Sequence, residues 1–110
     1  MKAVIEGKRF DTESPRTTLV LADLGPLLSP RESSWWRAGL YRTQSGRWFL
    51  AGSGGPMTRF GYGSMQSGRS GGEGIIPIST REAREYLEDA GDRALEVIER
   101  YADEFGIEEA

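Results

Sequence analysis

Apolar and polar positions along the chain fall into two regimes. Up to about residue 51, β-branched, aromatic and leucine residues come in short runs broken by Gly, Pro, Asp and Ser, the pattern of strands and turns. From Ala83 onward apolar residues recur every three or four positions, the period of a helix with one buried face. The stretch Trp35 to Gly55 holds all three tryptophans, and its two β-prone runs flank Ser45-Gly46, which predicts a central hairpin. A two-residue loop there sets Thr43 opposite Trp48 and Tyr41 opposite Leu50 on one face, with Arg42 opposite Phe49 and Leu40 opposite Ala51 on the other. A longer loop with a bulge at Gly46 would shift every pair.

Before the hairpin, Ala3-Val4-Ile5 and Arg9-Phe10 read as short strands around a Gly7 turn, and Thr17 to Leu21 as another. Gly25-Pro26 and Ser29-Pro30 punctuate a loop reaching about Ser34, from which Leu24, Leu27 and Leu28 are expected to cover the sheet. After it, Gly52 to Gly74 contains nine of the fifteen glycines and reads as a long irregular loop, the kind of segment that is often functional. Ile75-Ile76-Pro77-Ile78 resumes as a short strand, and Pro77, which cannot donate to a ladder, places it at an edge. Ser79-Thr80-Arg81-Glu82 is a capping box that opens a helix with Ala83, Tyr86, Leu87 and Ala90 on one stripe. Gly91 closes that helix, and Asp92 caps a second whose stripe is Ala94, Leu95, Ile98, Tyr101, Ala102 and Phe105, ending at Gly106.

The expected fold class is α+β in a single domain over 1–110. A small antiparallel β-sheet of about five or six short strands is covered on one face by two C-terminal α-helices, with a long Gly-rich loop. Its parts are a β meander over 1–51, the loop over 52–74, a short strand over 75–78, two helices over 79–106 and a tail over 107–110. Trp48 or Trp36 should be substantially buried, and Tyr86, Leu87, Ile98 and Tyr101 should share a core with the sheet.

Composition narrows the chemistry. The 110 residues include no cysteine and no histidine, which removes disulfides, thiolate nucleophiles, zinc-thiolate sites and the commonest general base. An enzyme built from this chain would need carboxylates of shifted pKa, a Ser or Tyr, or a metal on Asp/Glu, so a non-enzymatic protein without cofactor or metal is expected. No run approaches the ~18 apolar residues of a membrane span, and Met-Lys-Ala-Val-Ile-Glu is charged too early for a signal peptide; a cytoplasmic protein is the expectation. Neither glycine fingerprint for phosphate binding is present, and Gly52-Ser53-Gly54-Gly55 runs into Pro56, which lacks the N–H a phosphate nest would use.

Charge is divided along the chain. Residues 1–78 carry about +4 and residues 79–110 about −7, giving the net −3. Two candidate surfaces follow. One is acidic, Glu85, Glu88, Asp89, Glu96 and Glu99 on the helices, suited to a basic protein partner. The other is basic and aromatic, Arg42, Arg47, Arg59, Phe60, Tyr62 and Arg69, suited to stacking on bases and meeting phosphates. Ordinary solvation of helix faces accounts for the same acidic residues, and Phe60 or Tyr62 would equally anchor the loop to the sheet.

Three stretches carry a resemblance. Ile5 to Glu13, Gly46-Arg47-Trp48-Phe49-Leu50-Ala51-Gly52-Ser53-Gly54-Gly55 and Ile75-Ile76-Pro77-Ile78-Ser79-Thr80-Arg81-Glu82-Ala83 resemble a group of small, mostly uncharacterised proteins of bacterial plasmids, prophages and other mobile elements. In that group the position of Ser53 is often glutamate, so an acidic role there would be absent from this chain. The resemblance implies a small acidic protein that binds and modulates or inhibits a host protein. A CRISPR effector, or another basic nucleic-acid-binding protein, is such a partner, which would make the chain an anti-CRISPR inhibitor. The alternative is a nucleic-acid-binding module that uses the Arg/aromatic hairpin and the Gly-rich loop. Either function suits a monomer or a homodimer.

Overall fold

The computed structural model describes residues 1–64 and 66–110; Met65, which the loop reading above includes, lies outside them. Among the described residues, eight strands and a helical C-terminal segment form an α+β fold. The strands are β1 (Lys2–Ile5), β2 (Lys8–Asp11), β3 (Thr17–Leu24), β4 (Trp36–Thr43), β5 (Trp48–Gly54), β6 (Tyr62–Ser64), β7 (Gly68–Ser70) and β8 (Gly72–Ile78). The helices are α1 (Thr80–Asp89), α2 (Leu95–Arg100) and α3 (Ala102–Phe105), with a 3₁₀ turn at Gly91–Ala94 between α1 and α2. β3, β4, β5 and β8 make one antiparallel sheet in that order, while β1–β2 and β6–β7 are separate hairpins.

The β4–β5 hairpin sets the register of the whole molecule. Thr43 N donates to Arg47 O at 2.8 Å and Gly46 N to Thr43 O at 2.9 Å, closing a three-residue loop in which Gly46 has φ +89°. That positive φ is why glycine stands there, and it makes the longer, bulged loop the one adopted. The pairs are therefore Arg42 with Trp48, Tyr41 with Phe49 and Leu40 with Leu50, one residue off those of a two-residue loop. Leu40, Leu50 and Trp48 consequently share the helix-facing side, with 0%, 1% and 1% of their surface exposed.

Val20, Leu24 and Ala38 join them from the sheet, and Ala83, Leu87, Ala94, Val97 and Phe105 from the helices. Trp36, Tyr86, Ile98 and Tyr101 pack against this core, as the periodicity predicted. Burial of each large side chain contributes about 1.5–3 kcal/mol. The opposite face is covered by the β1–β2 hairpin, so the molecule has three layers where the sequence pattern suggested two. Glu6 and Gly7 turn this hairpin with φ of +51° and +75°. Phe10 then meets Phe49 edge-on at 5.3 Å, and Phe49 stacks on Tyr41 at 5.1 Å.

Three further expectations are corrected. β5 continues to Gly54, β8 begins at Gly72, and β6–β7 pairs in between, so Gly52–Gly74 is mostly short strand. The reason is packing: a Cβ on Gly52 would lie 2.6 Å from Ala38 Cα, and one on Gly54 2.9 Å from Trp36 Cβ. These glycines let neighbouring groups approach the sheet. The second helix is broken. The chain enters it through the 3₁₀ turn, Asp92 makes no capping bond, and α2 stops at Tyr101. This entry shifts the helical phase, leaving Leu95 56% exposed and burying Val97 in its place. Leu27 does not cover the sheet either, being 98% exposed, whereas Leu24 is a buried residue of β3. Among the i, i+4 charge pairs of the helices, Arg84 and Glu88 are 3.8 Å apart, while Glu96 and Arg100 form no ion pair among the described residues.

Candidate functional site

The acidic candidates stand on the outer side of the helical layer. The capping box forms as the sequence requires: Glu82 N donates to Ser79 Oγ at 3.0 Å, and Ser79 N donates to Glu82 Oε1 at 3.2 Å. This fixes the phase of α1, so that Ala83 and Leu87 turn inward and Glu85, Glu88 and Asp89 outward. Glu85 meets Arg81 at 3.3 Å and Glu88 lies 3.8 Å from Arg84. Glu96 and Glu99 are exposed on α2. Among the described residues Asp89, Glu96 and Glu99 have no cationic partner.

The basic and aromatic candidates are not assembled into one surface. Arg42 lies on the helix-facing side and is held by Glu104 of α3, with Nε donating at 3.1 and 3.2 Å and a terminal nitrogen at 2.6 Å. Its guanidinium sits 5.8 Å from the Trp48 ring and 5.4 Å from the Tyr101 ring. Trp48 Nε1 donates to the same carboxylate at 2.8 Å, so Glu104 satisfies two donors from the sheet. The hydrogen bond from Arg42 holds the Glu104 carboxyl below its ordinary range, and the same bond pushes Arg42 up.

Arg59 donates to Glu82 at 2.7 Å and to the Tyr86 hydroxyl at 3.3 Å. Glu82 is lowered by the Ser79 backbone bond first and by Arg59 after it. Phe60 is a buried core residue, filling space that a side chain at Gly54 would occupy. Arg69 donates to the Pro56 carbonyl at 2.7 Å. Only Arg47 and Tyr62 of this set stand exposed without a side-chain hydrogen bond among the described residues.

Sequence reasoning missed Glu104, whose partners lie 62 and 56 positions away. It also missed two arginines that act as struts. Arg37 donates to the Pro26 carbonyl at 2.6 Å and to its neighbour Trp36 at 2.8 Å, pinning the 25–34 loop. Arg93 donates to the carbonyls of Ala22 and Asp23 at 3.1 and 2.6 Å, tying the helices to the β3 edge.

Trp36 and Tyr86 meet edge-on at 5.6 Å and divide two cavities. One, of about 230 Å³, includes Met57, Arg59 and Phe60; the other, of about 470 Å³, includes Pro26, Leu27 and Asp89. Among the described residues no group of three or more acidic side chains is placed to hold a metal ion, and no helix is long and apolar enough to cross a membrane. No protein-family model, no curated protein and no solved structure matches the chain.

Proposed function

We propose that the chain acts by stoichiometric binding and not by catalysis, presenting the acidic outer side of its helices to a basic protein. A host nucleic-acid-binding protein, CRISPR effectors included, is the partner class that the mobile-element resemblance implies. One observation supports this reading above others. The two arginines that reach the helices from the β body are taken by other acids, Arg42 by Glu104 and Arg59 by Glu82, while Asp89, Glu96 and Glu99 face solvent unpaired among the described residues. A surface of one sign speeds encounter with an oppositely charged partner by 10-fold or more at low salt.

The test begins with capture from host lysate at two salt concentrations, with nuclease present, followed by kinetics on the purified partner. Reversing Glu85, Glu88 and Glu96 together to lysine should slow association about 10-fold and flatten its salt dependence, with the thermal midpoint nearly unchanged because exposed pairs contribute about 0–1 kcal/mol each. Association at the wild-type rate would reduce the acidic face to a solvated surface. Arg42→Glu is not a usable control, since it would break the Glu104 contact inside the fold.

A further inference from the structure

Four cations that the fold leaves without a side-chain partner among the described residues lie around the β4–β5 turn. Lys8 and Arg47 line a shallow groove of about 260 Å³ beside Gly46. Arg9 and Arg16 line a second, of about 460 Å³, beside Gln44 and Ser45. The two grooves thus flank a single turn, whose Ser45 belongs to one and Gly46 to the other. All four side chains are exposed, and none makes an ion pair or a side-chain hydrogen bond among the described residues.

Glu6 and Asp11 are the acids in these grooves, and Asp11 lies 3.9 Å from Lys2. Glu104, on the helix-facing side of the same hairpin, is taken by Arg42 and Trp48. Four free cations face two acids there, although the chain as a whole carries −3. Salt at 0.15 M screens exposed charges beyond about 8 Å, so this local excess decides what can approach the turn.

We propose that the end formed by Lys8, Arg9, Arg16 and Arg47 binds the phosphodiester backbone of nucleic acid without reading its sequence. Four cations divided between two separate open grooves suit a chain of phosphates better than one compact anion, which a single groove would hold. The surface differs from the acidic helical face and shares only Arg47 with the arginine and aromatic set that the fold does not assemble.

Fluorescence anisotropy with a labelled 20-nucleotide duplex, and with the same strand alone, tests it. At 50 mM salt the chain should bind either probe, with log Kd changing against log salt at a slope corresponding to about four phosphates, so that affinity falls about 100-fold between 50 and 200 mM. Changing all four cations to glutamine should abolish binding. Each pair, Lys8→Gln with Arg47→Gln or Arg9→Gln with Arg16→Gln, should remove about half the slope. Circular dichroism checks that the variants fold, and the paired variants carry the test if the quadruple one does not. The Glu85, Glu88 and Glu96 reversal should bind these probes at least as tightly as wild type. Absence of binding to both probes at 50 mM salt, or a fourfold-substituted protein within twofold of wild type, overturns the proposal.

Discussion

Removing the Glu104 carboxylate should destabilise the fold far more than loss of a surface ion pair. In Glu104→Ala the indole N–H of Trp48, a residue 1% exposed, loses its acceptor, which costs about 1–3 kcal/mol. Arg42, whose side chain is 26% exposed, loses its carboxylate partner, and charged hydrogen bonds of this kind contribute about 1.5–3 kcal/mol. The contributions overlap because one group makes both contacts, so the expected loss is about 2–4 kcal/mol. Urea unfolding followed by far-ultraviolet circular dichroism measures it, at unchanged m-value. Arg42→Ala and the double variant complete a cycle in which the pair should couple by about 1–2 kcal/mol, above the 0.2–1 kcal/mol of exposed pairs. A loss below about 1 kcal/mol in Glu104→Ala, with coupling below about 0.3 kcal/mol, would refute the reasoning and leave Trp48 held by packing alone.

Acid titration probes the same group. The Glu104 and Glu82 carboxyls are lowered in the fold, so their contribution is full above the ordinary glutamate value of about 4.3 and is lost as pH falls through the lower native values; Glu104→Gln should flatten the stability profile measured across that window. Gly52→Ala should fail to fold or lose more than about 3 kcal/mol by thermal melting, because the new Cβ would press on Ala38 at 2.6 and 2.8 Å, whereas Gly74→Ala, with nothing within 4 Å, should stay within about 0.5 kcal/mol of wild type or gain slightly. In hydrogen exchange, the amides of Tyr62–Ser64 and Gly68–Ser70, strands exposed at every described position, should exchange much faster than those of Leu40 and Leu50; equal protection would contradict a weakly anchored β6–β7 hairpin.

Local chemistry was legible in the sequence and distant chemistry was not. Ser79 and Glu82 signal the start of α1 because both halves of the capping box lie within four residues, and the α1 stripe follows from that phase. The central hairpin was visible too, but Ser45-Gly46 fits two loop lengths, and the left-handed backbone at Gly46 decides between them. Arg42 reads as a free cation only until α3 brings Glu104 beside it, and Phe60 reads as a loop aromatic until the missing side chain at Gly54 admits it to the core. The break in the second helix left no clear trace, since a 3₁₀ entry displaces Leu95 for Val97 without changing composition.

The contact between Trp48 and Phe105, with ring centres 5.2 Å apart, has a kinetic meaning. A ribosome delivers β3 and the β4–β5 hairpin well before the helices, so the nascent sheet shows Leu40, Trp48 and Leu50 to water with no cover for them. Covering Trp48 from α3 requires loops of more than fifty residues, which slows folding and prolongs the interval in which two uncapped strands could recruit a neighbour. Glycine on both strands at two of the seven β5–β8 pairs weakens such recruitment, because a strand lacking side chains offers a foreign strand little to grip. The region that leaves so little room for substitution in the finished protein therefore also protects the unfinished one.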